Sequence, residues 1–313
     1  MYKKIILFVL VVLAVLFLYA AYGRKDLTLS KEYVKEKYRL PNSKFINWNG
    51  TEIHYTESGK GFPILMIHGF GGSGRDFIIL DSLLNDKYKV FRIDLPGFGL
   101  SDFPVQTETT PDYIKVYDAY FSFLLDTLNI DSCYVMGNSL GGLMSWNLTV
   151  KHPDVVKKLV LFNSAGYDMK EVVETATNAR YLKSDFAQLF LKKGVPVFLT
   201  KKGMNKILYS DSLKTEERAQ RFNDFWNRKG NMQQILSMVS SEQYLDQNLI
   251  KEVKCPTLIF WGKYDKVINK KYAARFHADI KNSQLIMYDS CGHVPMLERP
   301  MDVQRDVLKF LTQ

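Results

Sequence analysis

The sequence predicts an α/β protein with a mostly parallel central sheet, helices on both faces, and a helical insertion before the last strands. Three observations support this prediction. Short, continuously apolar runs alternate with helix-like segments, as in parallel sheets that are covered on both sides. Each run ends in a glycine-rich or acidic loop. The alternation stops after Gly166 and resumes at Cys255, which sets a helical segment apart from the sheet.

Composition places the chain among ordinary globular proteins. Of its 313 residues, 46% are hydrophobic and 24% are charged, which suits one large core, or one core with a subsidiary domain. The net charge of +9 is spread along the chain without a basic-aromatic recognition motif. We therefore expect a lysine-rich surface with a mild preference for anionic lipid, no nucleic-acid partner and no obligate protein partner. Three distant cysteines, Cys133, Cys255 and Cys291, predict free thiols rather than a metal site or disulfides.

The first 25 residues differ from the rest. Ile5 to Tyr22 form a run of eighteen residues without a charge. As a helix this run is about 27 Å long, close to the hydrocarbon thickness of a bilayer. Residues 1–25 are therefore predicted to be a single-pass membrane anchor that leaves the large domain outside the cytoplasm. A cleaved signal peptide is the alternative, because "LYAAYG" offers small residues, and cleavage would make the protein secreted or periplasmic.

The elements of the first half follow in order. Residues 26–44 are polar with little periodicity and are predicted to be a linker with room for one short helix. From Phe45 to Ser58 the sequence alternates around an Asn49-Gly50 turn signal, which predicts an antiparallel hairpin. Buried strands are predicted in four runs, Pro63 to Gly69, Tyr88 to Gly97, Ser132 to Asn138 and Lys157 to Gly166. Helices are predicted between them, at Asp76 to Leu84, Pro111 to Leu128 and Leu140 to Lys151.

The break in this alternation defines the domain organisation. Residues 45–166 form the first part of the core. Residues 254–313 form the second part, with strands at Cys255 to Asp265 and Ser283 to His293 and a last helix from Met301. Residues 167–253, called the cap segment below, are helical in pattern. A helical insertion between two strands of a parallel sheet is expected to cover the carboxyl ends of the strands, where ligands bind in such sheets.

A single serine stands between two glycines where a strand pattern becomes a helix pattern. The stretch "GNSLG" around Ser139 matches G-x-S-x-G, with a strand before it and a helix after it. Gly137 and Gly141 keep the sharp turn free of side chains. The N–H of Leu140, at the start of the helix, would face an oxygen of the group that the serine attacks. A purely structural turn is the alternative, but we interpret Ser139 as a nucleophile.

A serine hydroxyl needs a base, and the base needs a carboxylate to orient it. Among the five histidines, His293 alone lies in a loop directly after a terminal strand, which makes it the candidate base. Asp265 follows the preceding apolar run and is the candidate carboxylate. Asp289 is the nearest alternative.

The loop "HGFGGSGRDF" is expected to complete an oxyanion hole. The backbone N–H of Phe70 is the expected second donor. Gly69 and Gly71, on either side of it, let the chain pass close to a substrate. A glycine-rich loop that merely turns is the alternative. His68 is expected to be a structural residue of this loop, and Asp94 in "DLPGFG" is expected to hold a turn.

These features together resemble the α/β-hydrolase superfamily. The order Ser139, Asp265, His293, with His68-Gly69 before them, is similar to its pattern from about Phe45 onward. The stretches "GNSLGG", "NSAGY", "WGKYDKVI" and "GHVPMLERP" look most like those of bacterial lipases and esterases, and of membrane-anchored monoacylglycerol lipases of animals. The resemblance implies hydrolysis of carboxylic esters by a Ser-His-Asp triad, with no cofactor or metal.

Alternative activities and the substrate stay open at this point. Carbon–carbon bond hydrolases of ring-cleavage products carry a similar "GNS-x-GG" turn, but their glycine loop usually reads His-Gly-x-Gly-Pro and here it reads "HGFGG". A perhydrolase or haloperoxidase-type activity would use the same triad, and a non-catalytic ligand-binding protein could keep the fold. We expect a monoacylglycerol-like or other amphiphilic ester as substrate. Apolar residues of the cap segment could form its acyl pocket, or could only pack onto the core, namely Phe186, Leu189, Phe190, Leu191 and Phe198.

Overall fold

An eight-stranded sheet forms the centre of the computed structural model, which describes Ile6 and residues 25–104, 112–177, 184–241 and 245–313. The strand order is β1-β2-β4-β3-β5-β6-β7-β8. The first two pairs in that order are antiparallel and the other five are parallel, so the predicted mostly parallel sheet is confirmed. The strands are β1 Ser43–Trp48, β2 Thr51–Ser58, β3 Phe62–Ile67, β4 Tyr88–Ile93, β5 Cys133–Asn138, β6 Val156–Phe162, β7 Thr257–Gly262 and β8 Ser283–Tyr288.

The predicted hairpin is present at the start of the sheet. Trp48 of β1 pairs with Thr51 of β2, and the two residues between them are Asn49 and Gly50. Both have positive φ, 50° and 83°, which a two-residue hairpin turn of this type requires and which Asn-Gly adopts readily.

Helices lie before, between and after the strands. Before the cap segment they are α1 Lys31–Tyr38, α2 Ile78–Leu84, α3 Tyr113–Thr127 and α4 Leu140–Lys151. The described part of the cap segment holds helices and no strand, with α5 Met169–Thr177, α6 Asp185–Leu191, α7 Val197–Ile207, α8 Glu216–Asn227 and α9 Asn231–Ser240. After it come α10 Lys271–Asp279, α11 Pro295–Glu298 and α12 Pro300–Leu311. Several helices begin at a residue whose side chain caps the first turn. For example, the Thr215 hydroxyl accepts the N–H of Arg218 at the start of α8.

The core has two layers, one on each face of the sheet. Successive residues of β6 enter different layers, because side chains alternate across a strand. Leu161 packs in one layer with Trp146 of α4, whereas Phe162 packs in the other with Phe260 of β7. The rings of Phe162 and Phe260 are stacked with centroids 5.1 Å apart. Full burial of one such side chain contributes about 1.5–3 kcal/mol, and the two layers cover both faces as predicted.

The segment predicted to be a linker is packed along the domain. Leu27 N–H donates to Lys193 O at 2.8 Å, and Leu29 N–H donates to Asn227 O at 2.7 Å, both in the cap segment. Residues 27–38 are called the N-terminal strap below. Its first contacts along the chain are therefore made with the cap segment.

The helix of the strap joins the cap segment to the core. Val34 of α1 is fully buried in a cluster with Leu100 of the core and Phe225 of α8. Lys37 Nζ lies 2.7 Å from Oδ2 of the buried Asp224. This hydrogen bond raises the pKa of Lys37 above its ordinary value.

The predicted membrane anchor lies almost entirely outside the described residues. In the part of the chain that the structure describes, no helix is both long and apolar enough to cross a membrane. The anchor therefore stays a prediction from the sequence.

Candidate active site

The backbone of Ser139 is strained. It lies at the junction of β5 and α4 with φ 55° and ψ −117°, a conformation that costs a residue other than glycine about 1–3 kcal/mol. Hydrogen bonds hold it there: its N–H donates to Phe162 O at 3.0 Å, and its carbonyl accepts the N–H groups of Leu143 and Ala165 at 3.0 Å each. Strain that neighbouring elements maintain in this way is typical of functional positions.

The glycines on either side of Ser139 leave no room for a side chain. A Cβ at Gly137 would collide with Ser145 Oγ and with the carbonyl of Gly141. A Cβ at Gly141 would collide with the carbonyl oxygens of Ile67 and His68 at the end of β3. The turn therefore requires glycine at both positions, and the start of α4 sits directly against the end of β3.

His293 and Asp265 meet on the loops that follow β8 and β7. The imidazole Nδ1 of His293 lies 2.8 Å from Oδ2 of Asp265. The Asp265 side chain has no exposed surface. Its Oδ1 accepts the N–H groups of Val267 at 2.7 Å and Ile268 at 3.1 Å. These bonds fix the carboxylate and leave its other oxygen for the histidine.

The other candidates from the sequence lie elsewhere. Asp289 is 76% exposed and pairs with a lysine. His68 has both ring nitrogens on backbone groups, the Gly69 carbonyl at 2.7 Å and the Leu95 N–H at 3.0 Å. His54 pairs with Asp94, beneath the hairpin.

Ser139 and His293 line one cavity at the carboxyl ends of the strands, together with Gly69 and Phe70. The N–H groups of Phe70 and Leu140, the expected oxyanion donors, have no acceptor within the described chain. For Leu140 this is usual, because it is the first residue of a helix. A Cβ at Gly69 would lie 3.2 Å from Ser139 Cβ, so the glycine loop passes directly beside the serine.

The cap segment forms an apolar wall of this cavity, whose space including its mouth is about 480 Å³. Apolar lining residues beyond the glycine loop are Met204, Ile207, Leu208, Phe222, Val294 and Leu297. The cap residues for which the sequence left open an acyl pocket or packing onto the core are different ones. Phe198 is 48% exposed on the surface, and neither Phe190 nor Leu191 lines the cavity. The side chains of Phe186 and Leu189 lie outside the described part of the structure.

Comparison with known proteins agrees with the fold. A family model described as the alpha/beta hydrolase fold matches residues 63–300. The chain belongs to the α/β-hydrolase family. Within it, the chain resembles bacterial lipases and esterases.

Individual relatives of this α/β-hydrolase fall into more than one activity class. Lipase 1 of Psychrobacter immobilis is 29% identical over 85% of this chain and 83% of its own length. The 2-hydroxy-6-oxo-6-(2'-aminophenyl)hexa-2,4-dienoic acid hydrolase of Metapseudomonas resinovorans is 31% identical over 86% of this chain and 91% of its own. A solved bacterial membrane phospholipase A shares the fold with a TM-score of 0.73, at 21% identity over 99% of this chain and 98% of that one.

Asn138 is a site residue that sequence reasoning missed. Its Nδ2 donates to Phe162 O and to His293 O, both at 3.0 Å. The residue before Ser139 thus holds the backbone of the candidate base, which lies 155 positions away along the chain. A polar residue between Gly137 and Ser139, in an otherwise apolar strand, was the available signal.

Asn163 plays the corresponding part for the carboxylate. It follows β6 with φ 43°. Its Nδ2 donates to Asp265 Oδ2 at 2.6 Å and to Gly292 O at 3.3 Å, and its Oδ1 accepts Gly262 N–H at 3.3 Å. One amide side chain therefore joins the carboxylate loop to the histidine loop.

Two contacts fasten the cap segment to the site loops of this α/β-hydrolase. Trp226 Nε1 donates to Gly71 O at 3.0 Å, which ties α8 to the glycine loop. Glu298 accepts the N–H of Gly292 on one oxygen and that of Tyr209 on the other, both at 2.8 Å. The cap segment is thereby joined to both the glycine loop and the loop that carries His293.

The cavity also contains charged groups. Arg218 and Asp76 line it, and burial followed by nearby Arg221 lowers the pKa of Arg218, whereas burial raises the pKa of Asp76. Nε and Nη1 of Arg218 are buried and have no hydrogen-bond partner among the described residues. No group of three or more His, Cys, Asp or Glu side chains in the described chain is arranged to hold a metal ion.

Proposed function

We propose that this α/β-hydrolase cleaves carboxylic esters through an acyl-enzyme formed on Ser139. The observation that carries the proposal is the placement of Ser139 and His293 on one cavity, with His293 hydrogen-bonded to the fully buried Asp265. A nucleophile, a base and a carboxylate that orients the base are the groups that acyl transfer to serine needs.

The reaction proceeds in two matched halves. His293 takes the proton of Ser139 Oγ as that oxygen attacks the ester carbonyl. The N–H groups of Phe70 and Leu140 stabilise the oxyanion, and one such donor typically contributes about 3 kcal/mol. Collapse of the intermediate breaks the bond to the alcohol, which takes the proton from His293. Water then attacks the acyl-enzyme by the same steps and releases the acid.

Fluorophosphonate labelling tests the nucleophile. The parent protein is expected to react with the probe at Ser139, and Ser139→Ala is expected not to react. His293→Ala should react much more slowly because the serine loses its base. Labelling of Ser139→Ala at the parent rate would refute the assignment.

The apolar wall supports an amphiphilic ester with a medium-length acyl chain, such as a monoacylglycerol. Apolar surface in the cavity that Ser139 lines is offered by Met204, Ile207, Leu208 and Phe222. We also propose that residues 1–25 hold the enzyme at a membrane, where such esters are abundant. A series of p-nitrophenyl esters should show kcat/KM rising from acetate to medium chains. A maximum at acetate would contradict the proposed substrate class.

Arg218 favours one second candidate, hydrolysis of a carbon–carbon bond in an acid-bearing diketone. The name of the Metapseudomonas resinovorans relative indicates an acid substrate, and a carboxylate would pair with the free guanidinium nitrogens of Arg218. Turnover of that dienoic acid without turnover of neutral esters would favour this candidate. Arg218→Gln should then raise KM for the acid, whereas ester hydrolysis should change little.

A further inference from the structure

The first turn of α7 exposes three consecutive apolar side chains. Val197, Phe198 and Leu199 are 36%, 48% and 43% exposed. These residues are called the apolar turn. An exposed contiguous apolar surface on an otherwise well-packed domain indicates a contact surface.

The apolar turn lies where the chain enters the domain. Leu27 N–H donates to Lys193 O, and a Cβ at Gly194 would lie 2.9 Å from Leu27 Cβ. Tyr22, the last residue of the uncharged run, is five residues from Leu27 and so at most about 17 Å away. An N-terminal run inserted in a bilayer would therefore hold the apolar turn close to the lipid surface.

Basic residues flank the apolar turn in the sequence on both sides. Lys192, Lys193, Lys201 and Lys202 are exposed, and Lys201 pairs with Glu216. The whole chain carries a net charge of +9. A surface of anionic lipid headgroups attracts such a cluster, whereas a second copy of the chain would bring like charges together.

We propose that the apolar turn inserts into the interfacial layer of an anionic bilayer, as a second membrane contact beside the N-terminal segment. The proposal rests on the prediction that residues 5–22 enter a bilayer, and not on the assignment of ester hydrolysis. The opposite end of α7 lines the Ser139 cavity through Met204 and Ile207. Because α7 is about 16 Å long, docking brings the cavity within about one helix length of the lipid.

Fluorescence quenching in vesicles tests the proposal with the full chain. The protein is reconstituted into phosphatidylcholine vesicles that contain phosphatidylglycerol, in a Cys255→Ser background whose other two cysteines, Cys133 and Cys291, are buried. Bimane is attached at Leu199→Cys, and in a matched control at Met301→Cys, an exposed apolar residue of α12. The quencher is a phospholipid with a doxyl group near the start of its acyl chain.

The expected result is that bimane at position 199 loses about half of its fluorescence, since interfacial helices reach the acyl boundary, whereas bimane at position 301 is unaffected. Adding Phe198→Asp and Lys202→Glu should abolish the quenching at position 199 while the protein still floats with the vesicles. Equal quenching at both positions, no quenching at position 199, or failure of the full chain to float with vesicles would each overturn the proposal. Dimerisation through the apolar turn would appear as bimane at position 199 shielded from lipid, which also overturns it.

Discussion

The molecule contains two buried His–Asp pairs with the same geometry and different surroundings. Nδ1 to Oδ2 is 2.8 Å in both His293–Asp265 and His54–Asp94. The second pair even has a serine, because Nε2 of His54 lies 2.8 Å from Ser43 Oγ. A serine therefore lies near a His–Asp pair at both places, and the presence of these three residue types alone does not define a catalytic site.

The difference lies in what each serine faces. Ser43 Oγ also accepts Leu40 N–H at 2.8 Å, so its hydroxyl is used within the fold. Ser43 does not line the neighbouring cavity, which His54 and Asp94 do line. Ser139 has a strained backbone, borders an open cavity, and lies beside two N–H groups without acceptors. The comparison indicates that an open cavity and N–H groups without acceptors distinguish Ser139, the proposed nucleophile, from Ser43, whose hydroxyl is bonded within the fold.

The two carboxylates organise different loops. Asp94 accepts Gly74 N–H at 2.6 Å and Leu100 N–H at 2.8 Å, so it holds the far end of the glycine loop. Asp265 holds the turn before α10 and the ring of His293. One pair therefore supports the glycine loop, and the other belongs to the candidate site.

Removing each serine in turn tests the comparison most strongly. Ser139→Ala is expected to lower ester turnover by at least about 10,000-fold, because the acyl-enzyme cannot form. Ser43→Ala should leave turnover per folded molecule unchanged. Initial rates on a p-nitrophenyl ester, normalised to folded protein by circular dichroism, measure both. Comparable losses in the two variants would erase the distinction.

Neutralising each aspartate gives the next largest contrast. Asp265→Asn should lower kcat by roughly 1,000- to 10,000-fold, because the amide no longer stabilises the correct tautomer and charge of the histidine. Asp94→Asn should retain the activity of its folded fraction. Steady-state kinetics at neutral pH distinguish them, and a catalytic loss in Asp94→Asn as deep as that in Asp265→Asn would contradict the structural role of Asp94.

The free energy of unfolding should depend on the buried His54–Asp94 pair. His54→Ala leaves the carboxylate of Asp94 buried without its imidazole partner and should lower the free energy of unfolding by about 3 kcal/mol. Ser43→Ala removes only the outer hydrogen bond and should cost about 1 kcal/mol. Urea unfolding measures both. A smaller loss in His54→Ala than in Ser43→Ala would be inconsistent with a buried carboxylate that depends on its imidazole partner.

Lowering the pH should also remove a contribution of the His54–Asp94 pair to stability, and this loss should be smaller than that in His54→Ala. Burial alone raises the pKa of Asp94, but the charge and hydrogen bond of His54, with help from Leu100 N–H, outweigh it and lower the pKa from 3.8 to about 2. A lowered pKa stabilises the fold above the unfolded-state value and loses that contribution as the pH falls through the folded-state value. Roughly 2 kcal/mol should therefore disappear between pH 4 and pH 2. Urea titrations across this range should show the decline in the parent, and an equal decline in Asp94→Asn would assign it to other groups.

Local features of the site could be predicted from the sequence, and distant ones could not. The turn around Ser139 depends on its immediate neighbours, so "GNSLG" between a strand and a helix was sufficient. The amide of Asn138 reaches His293 O across 155 positions, and that of Asn163 reaches Asp265 across 102. No local pattern encodes such distances, although both residues are polar at the ends of apolar strands.

The cap segment was predicted least well, because composition does not give the orientation of a helix. Phe198 was expected either to line an acyl pocket or to pack onto the core, and instead it is 48% exposed. A stripe at helical spacing, Thr200, Met204, Ile207 and Leu208, faces inward or lines the cavity. This stripe was visible as an i, i+4, i+7, i+8 pattern, but the start of α7 had to be known before it could be assigned.

The N-terminal strap determines how the molecule would respond to a pulling force. Going inward from the N-terminal end of the strap, the first bonds are Leu27 to Lys193 and Leu29 to Asn227, and α1 follows. A pulling force on the N terminus therefore acts on the contacts between the cap segment and the core before any strand of the sheet bears tension. Under the proposed membrane attachment, a bilayer that bends or thickens would first load the contacts of the strap with the cap segment, whose helices α7 and α8 line the Ser139 cavity.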